Sequence, residues 1–119
     1  MMREVVCHKE EIDPGKMKSA SLGKIPIVVC RTKDGEFYAF VNRCLHQGAP
    51  LSEGVLCGDT KRTDIHGNYE YIKDGEILRC PWHALEYDIK NDGAMLAEPD
   101  KKLRSFQVSI EDDQVVVYK

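Results

Sequence analysis

The amino-acid sequence predicts a mainly β protein of one domain, and three features of it carry that prediction. Apolar residues fall in short clusters or alternate with polar ones, the pattern of strands rather than of helices. Gly, Asp and Asn punctuate those clusters at strand-length intervals. Pro or Gly interrupts almost every window in which a long helix could be drawn.

Along the chain, residues 9–12 have room for one helical turn before Asp13-Pro14-Gly15 stops it. Residues 25–31 carry a β-branched run, Lys33-Asp34-Gly35 is a turn, and residues 36–42 with Phe37, Tyr38 and Phe40 return as the second strand of a hairpin. Residues 43–68 read as an irregular segment rich in Gly and polar residues, of a length that usually carries function. A second hairpin is expected from Tyr69-Glu70-Tyr71-Ile72, a turn at Lys73-Asp74-Gly75, and Ile77-Leu78-Arg79-Cys80. Residues 85–89 then form a strand ending at Asn91-Asp92-Gly93. The chain closes with Phe106, Val108 and Ile110, a turn at Asp112-Asp113, and residues 115–118. The alternation of that last pair predicts a sheet with one buried face.

Composition narrows the function classes. At 119 residues the chain is long enough to bury a single core without disulfides. Its 17 basic and 20 acidic residues give a formal charge of -3, which supplies no field for nucleic acid or for an anionic membrane. No apolar run approaches the roughly 18 residues that cross a bilayer, and no secretion signal opens the chain, so a cytoplasmic protein is expected. Five cysteines, an odd count in a reducing compartment, point to metal or redox chemistry rather than to a disulfide framework.

Four potential ligands form two mixed pairs, Cys44-Leu45-His46 and Cys80-Pro81-Trp82-His83. Each pair follows an expected strand, so the two loops can meet at one end of the fold and enclose a metal. Two thiolates and two imidazoles suit tetrahedral zinc, but structural zinc sites commonly pair like ligands on each arm. A mixed arm suits a binuclear centre whose two metals are each reached by both loops. Zinc in a binding or redox-sensing module stays open as the alternative.

The match extends past the ligands. Cys44-Leu45-His46-Gln47-Gly48-Ala49-Pro50-Leu51, Gly54, Cys80-Pro81-Trp82-His83 and Tyr87-Asp88 resemble the two cluster-binding loops of Rieske iron–sulfur proteins, those of the Rieske ferredoxins and ring-hydroxylating oxygenases. Pro14-Gly15-Lys16 and residues 34–39 resemble the approach to the first loop, so the likeness covers nearly the whole chain. It implies an all-β Rieske fold of three antiparallel sheets, with a cluster-binding subdomain, roughly residues 43–90, inserted in a base domain within a single domain of residues 1–119. It also implies one [2Fe-2S] cluster per chain, with Cys44 and Cys80 on the buried iron and His46 and His83 on the outer one.

Departures from the pattern sharpen the expectation. Respiratory Rieske proteins add a cysteine to each loop; here Ala49 or its neighbours and Trp82 stand there, and no inter-loop disulfide can form. Leu85 replaces a hydrogen-bonding Ser while Tyr87 is retained, which lowers the expected reduction potential. Ala84 stands where the family usually has Gly. Residues 47–79 separate the inner ligands by roughly twice the common spacing, and the extra stretch, about 58–75, is expected to add a hairpin or flap. Cys7, Cys30 and Cys57 are bystanders in this reading, His8 and His66 are surface imidazoles, and Tyr38 is a core residue.

The function expected from the resemblance is single-electron transfer from a flavin-containing reductase to a terminal oxygenase or other acceptor, with no substrate turnover by this domain alone. A small Rieske subunit of a larger reductase, such as the nitrite reductase small-subunit family, or an oxygenase component is the second expectation. Docking is expected on a rim of Leu45, Pro50, Pro81 and Trp82 around the two histidines. The oligomeric state is not legible.

Overall fold

A computed structural model describes residues 3–45, 48–62, 69–81 and 85–119. Among these the chain forms ten strands and three single 3-10 turns, with no α-helix: β1 (Arg3–His8), β2 (Lys16–Leu22), β3 (Ile25–Arg31), β4 (Phe37–Val41), β5 (Val55–Arg62), β6 (Tyr69–Arg79), β7 (Glu86–Asp88), β8 (Ala94–Met95), β9 (Ser105–Glu111) and β10 (Gln114–Tyr118). All pairings are antiparallel. Two of the three sheets share β9 and run together in the order β1-β10-β9-β4-β3-β2, while β5-β6-β7-β8 form the third. The outer strands β1 and β2 come back into proximity, so the six-stranded ribbon curls toward closure. An edge met by another strand is protected from pairing with a foreign chain.

β3 explains why two cores form. Ile27, Val28, Val29 and Cys30 are all fully buried, and successive side chains point to opposite faces. Ile27 and Val29 face a cluster inside the curled ribbon with Leu22, Ala39, Val115 and Val117. Val28 and Cys30 face a second cluster with Phe40, Leu51, Leu78, Tyr87 and Ile89, which joins the ribbon to the third sheet. A continuous apolar run is what a strand covered on both sides requires. Burial pushes the Cys30 thiol well above its ordinary pKa, in keeping with a packing role.

The first hairpin forms as expected, as does the turn at residues 9–11, which is a single 3-10 turn capped by the exposed His8. The terminal hairpin also forms, with positive φ at both Asp112 and Asp113. Three expectations are corrected. Residues 43–68 are not all irregular, because residues 55–62 form β5, polar enough in its second half to read as loop. The second hairpin does not turn at Lys73-Asp74-Gly75: β6 runs straight through, and both its halves pair with β5, Asp59 opposite Ile72 and Cys57 opposite Ile77. Residues 73–76 therefore stand opposite Gly58 as a bulge. Gly75, at φ +77, rests on the stem of Lys33, whose Cγ would lie 2.6 Å from any Cβ there. The turn signal is absorbed by a bulge docked on the first hairpin. Tyr38 is half-buried, with its ring on the second core and its hydroxyl on Glu36, rather than enclosed. The Glu36 contact adds to desolvation and pushes that phenol up to about 12.

Candidate metal centre

Each of the two cysteine loops closes on itself in the same way. The Cys44 amide donates to the Ala49 carbonyl at 2.8 Å, and the Cys80 amide donates to the Leu85 carbonyl at 2.8 Å. In both, the thiol residue opens a turn that returns five positions later. Gly48, at φ +71, lets the first turn fold back, and its amide donates to the Cys44 carbonyl at 3.0 Å. Cys44 is 5% exposed and Cys80 2%, and both belong to the second core.

Strand register sets the two loops side by side. Val55, just after the first loop, pairs with Arg79, just before the second. Gly54 is pressed so closely on the Arg79 backbone that a Cβ would overlap its carbonyl oxygen. The second loop is then bounded by Arg79 opposite Glu86, reinforced by their ion pair at 3.2 Å. The sequence motif thus contains Gly54 for close backbone approach.

Tyr87 is the residue on which the loops converge. It is fully buried, and its hydroxyl lies 3.3 Å from the Cys44 sulfur while accepting the Leu45 amide at 3.2 Å. With one lone pair taken by that amide, and with Cys44 a thiolate when it holds a metal, the phenol is the donor to sulfur. Desolvation, then the bond to Cys44, push the phenol well above its ordinary pKa; negative charge on both Cys44 and Cys80 adds to the effect. Cys44, Cys80 and Tyr87 all belong to the same buried cluster.

The two other expected ligands, His46 and His83, lie outside the described residues, as do Trp82, Ala84 and His66. Among the described residues no group of three or more His, Cys, Asp and Glu side chains is gathered. No disulfide links the described cysteines. Cys7 lies in the core inside the ribbon, and Cys57 is half-buried on β5, 3.8 Å from a Glu86 carboxylate oxygen. Around the loops Leu45 is 46% exposed, Pro50 half-buried and Pro81 exposed. Leu85 is half-buried and packs against the second core. Asn42 and Ser52, which pair across the base of the first loop, were not singled out in the sequence; a polar residue at each end of the loop was the available sign.

Two buried thiols on adjoining loops, with a phenol aimed at one of them, fit a group that takes thiolates and gathers negative charge. The description of the matching family agrees: the Rieske [2Fe-2S] domain matches residues 2–107. Apoptosis-inducing factor 3 of Mus musculus is 30% identical over 94% of this chain, which spans 16% of that protein's length. The ferredoxin component of biphenyl 2,3-dioxygenase from Rhodococcus jostii (strain RHA1) is 29% identical over 94% of this chain and 88% of its own. A chain in the solved complex of reduced oxygenase and oxidized ferredoxin in carbazole 1,9a-dioxygenase superposes with a TM-score of 0.73 and 26% identity, over 98% of this chain and 92% of that one. Among the described residues no helix is long and apolar enough to cross a membrane. With its all-β sheets, its two alike cysteine loops and a match over most of its length, the chain belongs to the Rieske [2Fe-2S] domain family.

Proposed function

We propose that this chain is a low-potential Rieske ferredoxin that passes single electrons from a flavin-containing reductase to a terminal oxygenase. The observation that carries the electron-transfer role is the Tyr87–Cys44 contact, because a donor aimed at a ligand sulfur is a device for holding the extra negative charge of a reduced centre; the low potential rests instead on Leu85. When bound, a [2Fe-2S] cluster supplies a one-electron couple. Cys44 and Cys80 would hold it as buried thiolates, and His46 and His83 would hold its outer side as neutral imidazoles. The protein's part is then electrostatic and steric. Tyr87 donates its proton toward Cys44, and the apolar neighbours Leu51, Leu78 and Met95 keep water from the thiolates. The Leu85 side chain has no donor to offer, so the charge gained on reduction is compensated by fewer donors and the potential falls.

The acceptor in this proposal is an oxygenase, by likeness to the ferredoxin in the carbazole 1,9a-dioxygenase complex and to the biphenyl 2,3-dioxygenase component. Docking would use Leu45 and Pro81, apolar and exposed beside the loops. Anaerobic purification with iron and sulfide quantification, followed by a redox titration, tests the reading. Two irons and two sulfides per chain with a potential below that of respiratory Rieske proteins support it; zinc without sulfide sinks it.

The likeness to apoptosis-inducing factor 3, a protein far longer than this chain, supports a second reading as the Rieske part of a larger assembly, such as a reductase or an oxygenase. Reduction by a separate, freely dissociating flavoprotein favours the carrier. A requirement for permanent association with the flavoprotein favours the component.

A further inference from the structure

The ends of the two cysteine loops are held by different means. The second loop is closed by a strand ladder, Arg79 opposite Glu86. The first has no such ladder: β4 ends at Val41 after pairing with β3 and β9, and residues 51–53 form a 3-10 turn. Among the described residues no strand pairing joins 41–42 to 52–53. In its place stands one side chain. The Asn42 amide nitrogen donates to the Ser52 hydroxyl at 2.9 Å, and its Oδ1 accepts the Ser52 backbone amide at 2.8 Å.

We infer that Asn42 is a positioning residue for the cluster, its carboxamide standing in for the missing strand pair and fixing the first ligand loop before and after iron binds. A primary carboxamide presents one acceptor and donors in the plane of a peptide group, so it can make the two bonds of a backbone pair. Its own backbone is anchored, since the Asn42 amide donates to the Pro26 carbonyl at 2.9 Å. The side chain therefore ties the far end of the loop to the six-stranded ribbon. Inside it lies the Cys44–Ala49 closure, so Cys44 is held within two concentric rings. Preorganising a loop in its ligating shape removes ordering entropy that metal binding would otherwise have to supply. Fixing the loop ends also fixes where Cys44 stands relative to Tyr87, and through that the environment of the ligand sulfur.

The inference rests on the functional reading above, and the experiment separates the two. The holoprotein is compared as wild type, Asn42→Ala, Asn42→Asp and Ser52→Ala, by the rate of iron release to a chelator, by the electron paramagnetic resonance g-values of the reduced state, and by the urea midpoint. Asn42→Asp can keep both bonds, because Oδ1 still accepts the Ser52 amide and the Ser52 hydroxyl can turn to donate. Asn42→Ala is expected to release iron about tenfold faster, the lower end of what supporting ligand shells contribute, and to shift or broaden the g-values. Asn42→Asp is expected to stay close to wild type, with Ser52→Ala between. Asn42→Ala with unaltered release rate and g-values overturns the inference. So does an Asn42→Asp protein that behaves like Asn42→Ala, or a change confined to the urea midpoint. A wild type without iron and sulfide contradicts the functional reading instead. The clamp is then judged by hydrogen exchange of the Ser52 amide, which Asn42→Ala accelerates if the carboxamide closes the loop and leaves unchanged if it does not.

Discussion

The Tyr87 hydroxyl lies 3.3 Å from the Cys44 sulfur and is held in place by the Leu45 amide at 3.2 Å. Tyr87 sits on β7, beyond the second loop, and Cys44 opens the first, so one hydrogen bond spans both halves of the centre. A donor to a ligand sulfur favours the reduced state, which carries the additional negative charge.

Removing that donor should lower the reduction potential. Tyr87→Phe keeps the ring in the second core and deletes only the hydroxyl, so the fold should hold. A loss of about 1.4 kcal/mol of preference for the reduced form corresponds to about 59 mV for one electron. A drop of that order in a spectroelectrochemical titration is the expected outcome; an unchanged potential would remove Tyr87 from the account.

Gly54→Ala should damage both stability and cluster retention. The new methyl would overlap the Arg79 carbonyl, and the neighbour is backbone that cannot rotate away. Forced separation of this kind costs about 1–3 kcal/mol. Because Val55 opposite Arg79 sets the two loops side by side, iron content after purification should fall together with the urea midpoint. A variant with full iron content and wild-type stability would contradict the close approach.

The terminal turn offers a test in the other direction. Asp112 and Asp113 both hold positive φ, at 51° and 64°, between β9 and β10. This is the conformation favoured by Asn-Gly in two-residue hairpin turns. Asp113→Gly relieves the left-handed strain at the second position but removes an exposed ion pair with Lys9 at 3.2 Å, so stability should rise by less than about 1 kcal/mol, read as a small increase in melting temperature. The turn lies at the far end of that hairpin from Ser105 and the cluster loops, so the potential should not move.

Lys90 carries a pH signature. It bonds Asp34 and also lies 3.7 Å from Glu76, linking the first hairpin to β6 and to the turn after β7. The Asp34 bond is the largest cause raising the Lys90 pKa, and the same bond is the largest cause lowering that of Asp34. A raised lysine stabilises the fold below its unfolded value and loses that contribution as pH rises through the folded one. A lowered carboxylate stabilises above its unfolded value and loses that contribution as pH falls through the folded one. The urea midpoints of wild type and Lys90→Met should therefore differ most between about pH 5 and pH 9, and converge as pH climbs past the ordinary lysine value of about 10.4. A difference that stays constant to pH 11 would show that the Lys90 charge is not its source.

How far the sequence could be read follows from where each partner lies. The β3–β4 hairpin was legible because its apolar run and its Lys33-Asp34-Gly35 turn are contiguous. β1 and β2 went unread. Lys16 and Lys18 on one face of β2 and Ser19 and Ser21 on the other suit the edge of a ribbon, and polar residues on both faces hide the strand pattern. Lys73-Asp74-Gly75 was misread as a hairpin turn because a bulge and a turn use the same residues, and the strand opposite decides between them. At the centre, Cys44 and Cys80 were visible as members of short motifs, and the structure draws both into one core around Tyr87. The Asn42–Ser52 pair has as its only sign a polar residue at each end of the first loop, since hydrogen bonds across a loop leave no periodic trace in the sequence.

The central claim is that the two cysteine loops hold one cluster that accepts a single electron. Its most direct test is electron paramagnetic resonance of the anaerobically purified, dithionite-reduced protein, with iron and acid-labile sulfide measured on the same sample. Two irons and two sulfides per chain are expected, with a Rieske-type signal integrating to one spin that is lost in Cys44→Ser and in His83→Ala. Iron or zinc without sulfide, or a reduced protein with no such signal, would contradict it.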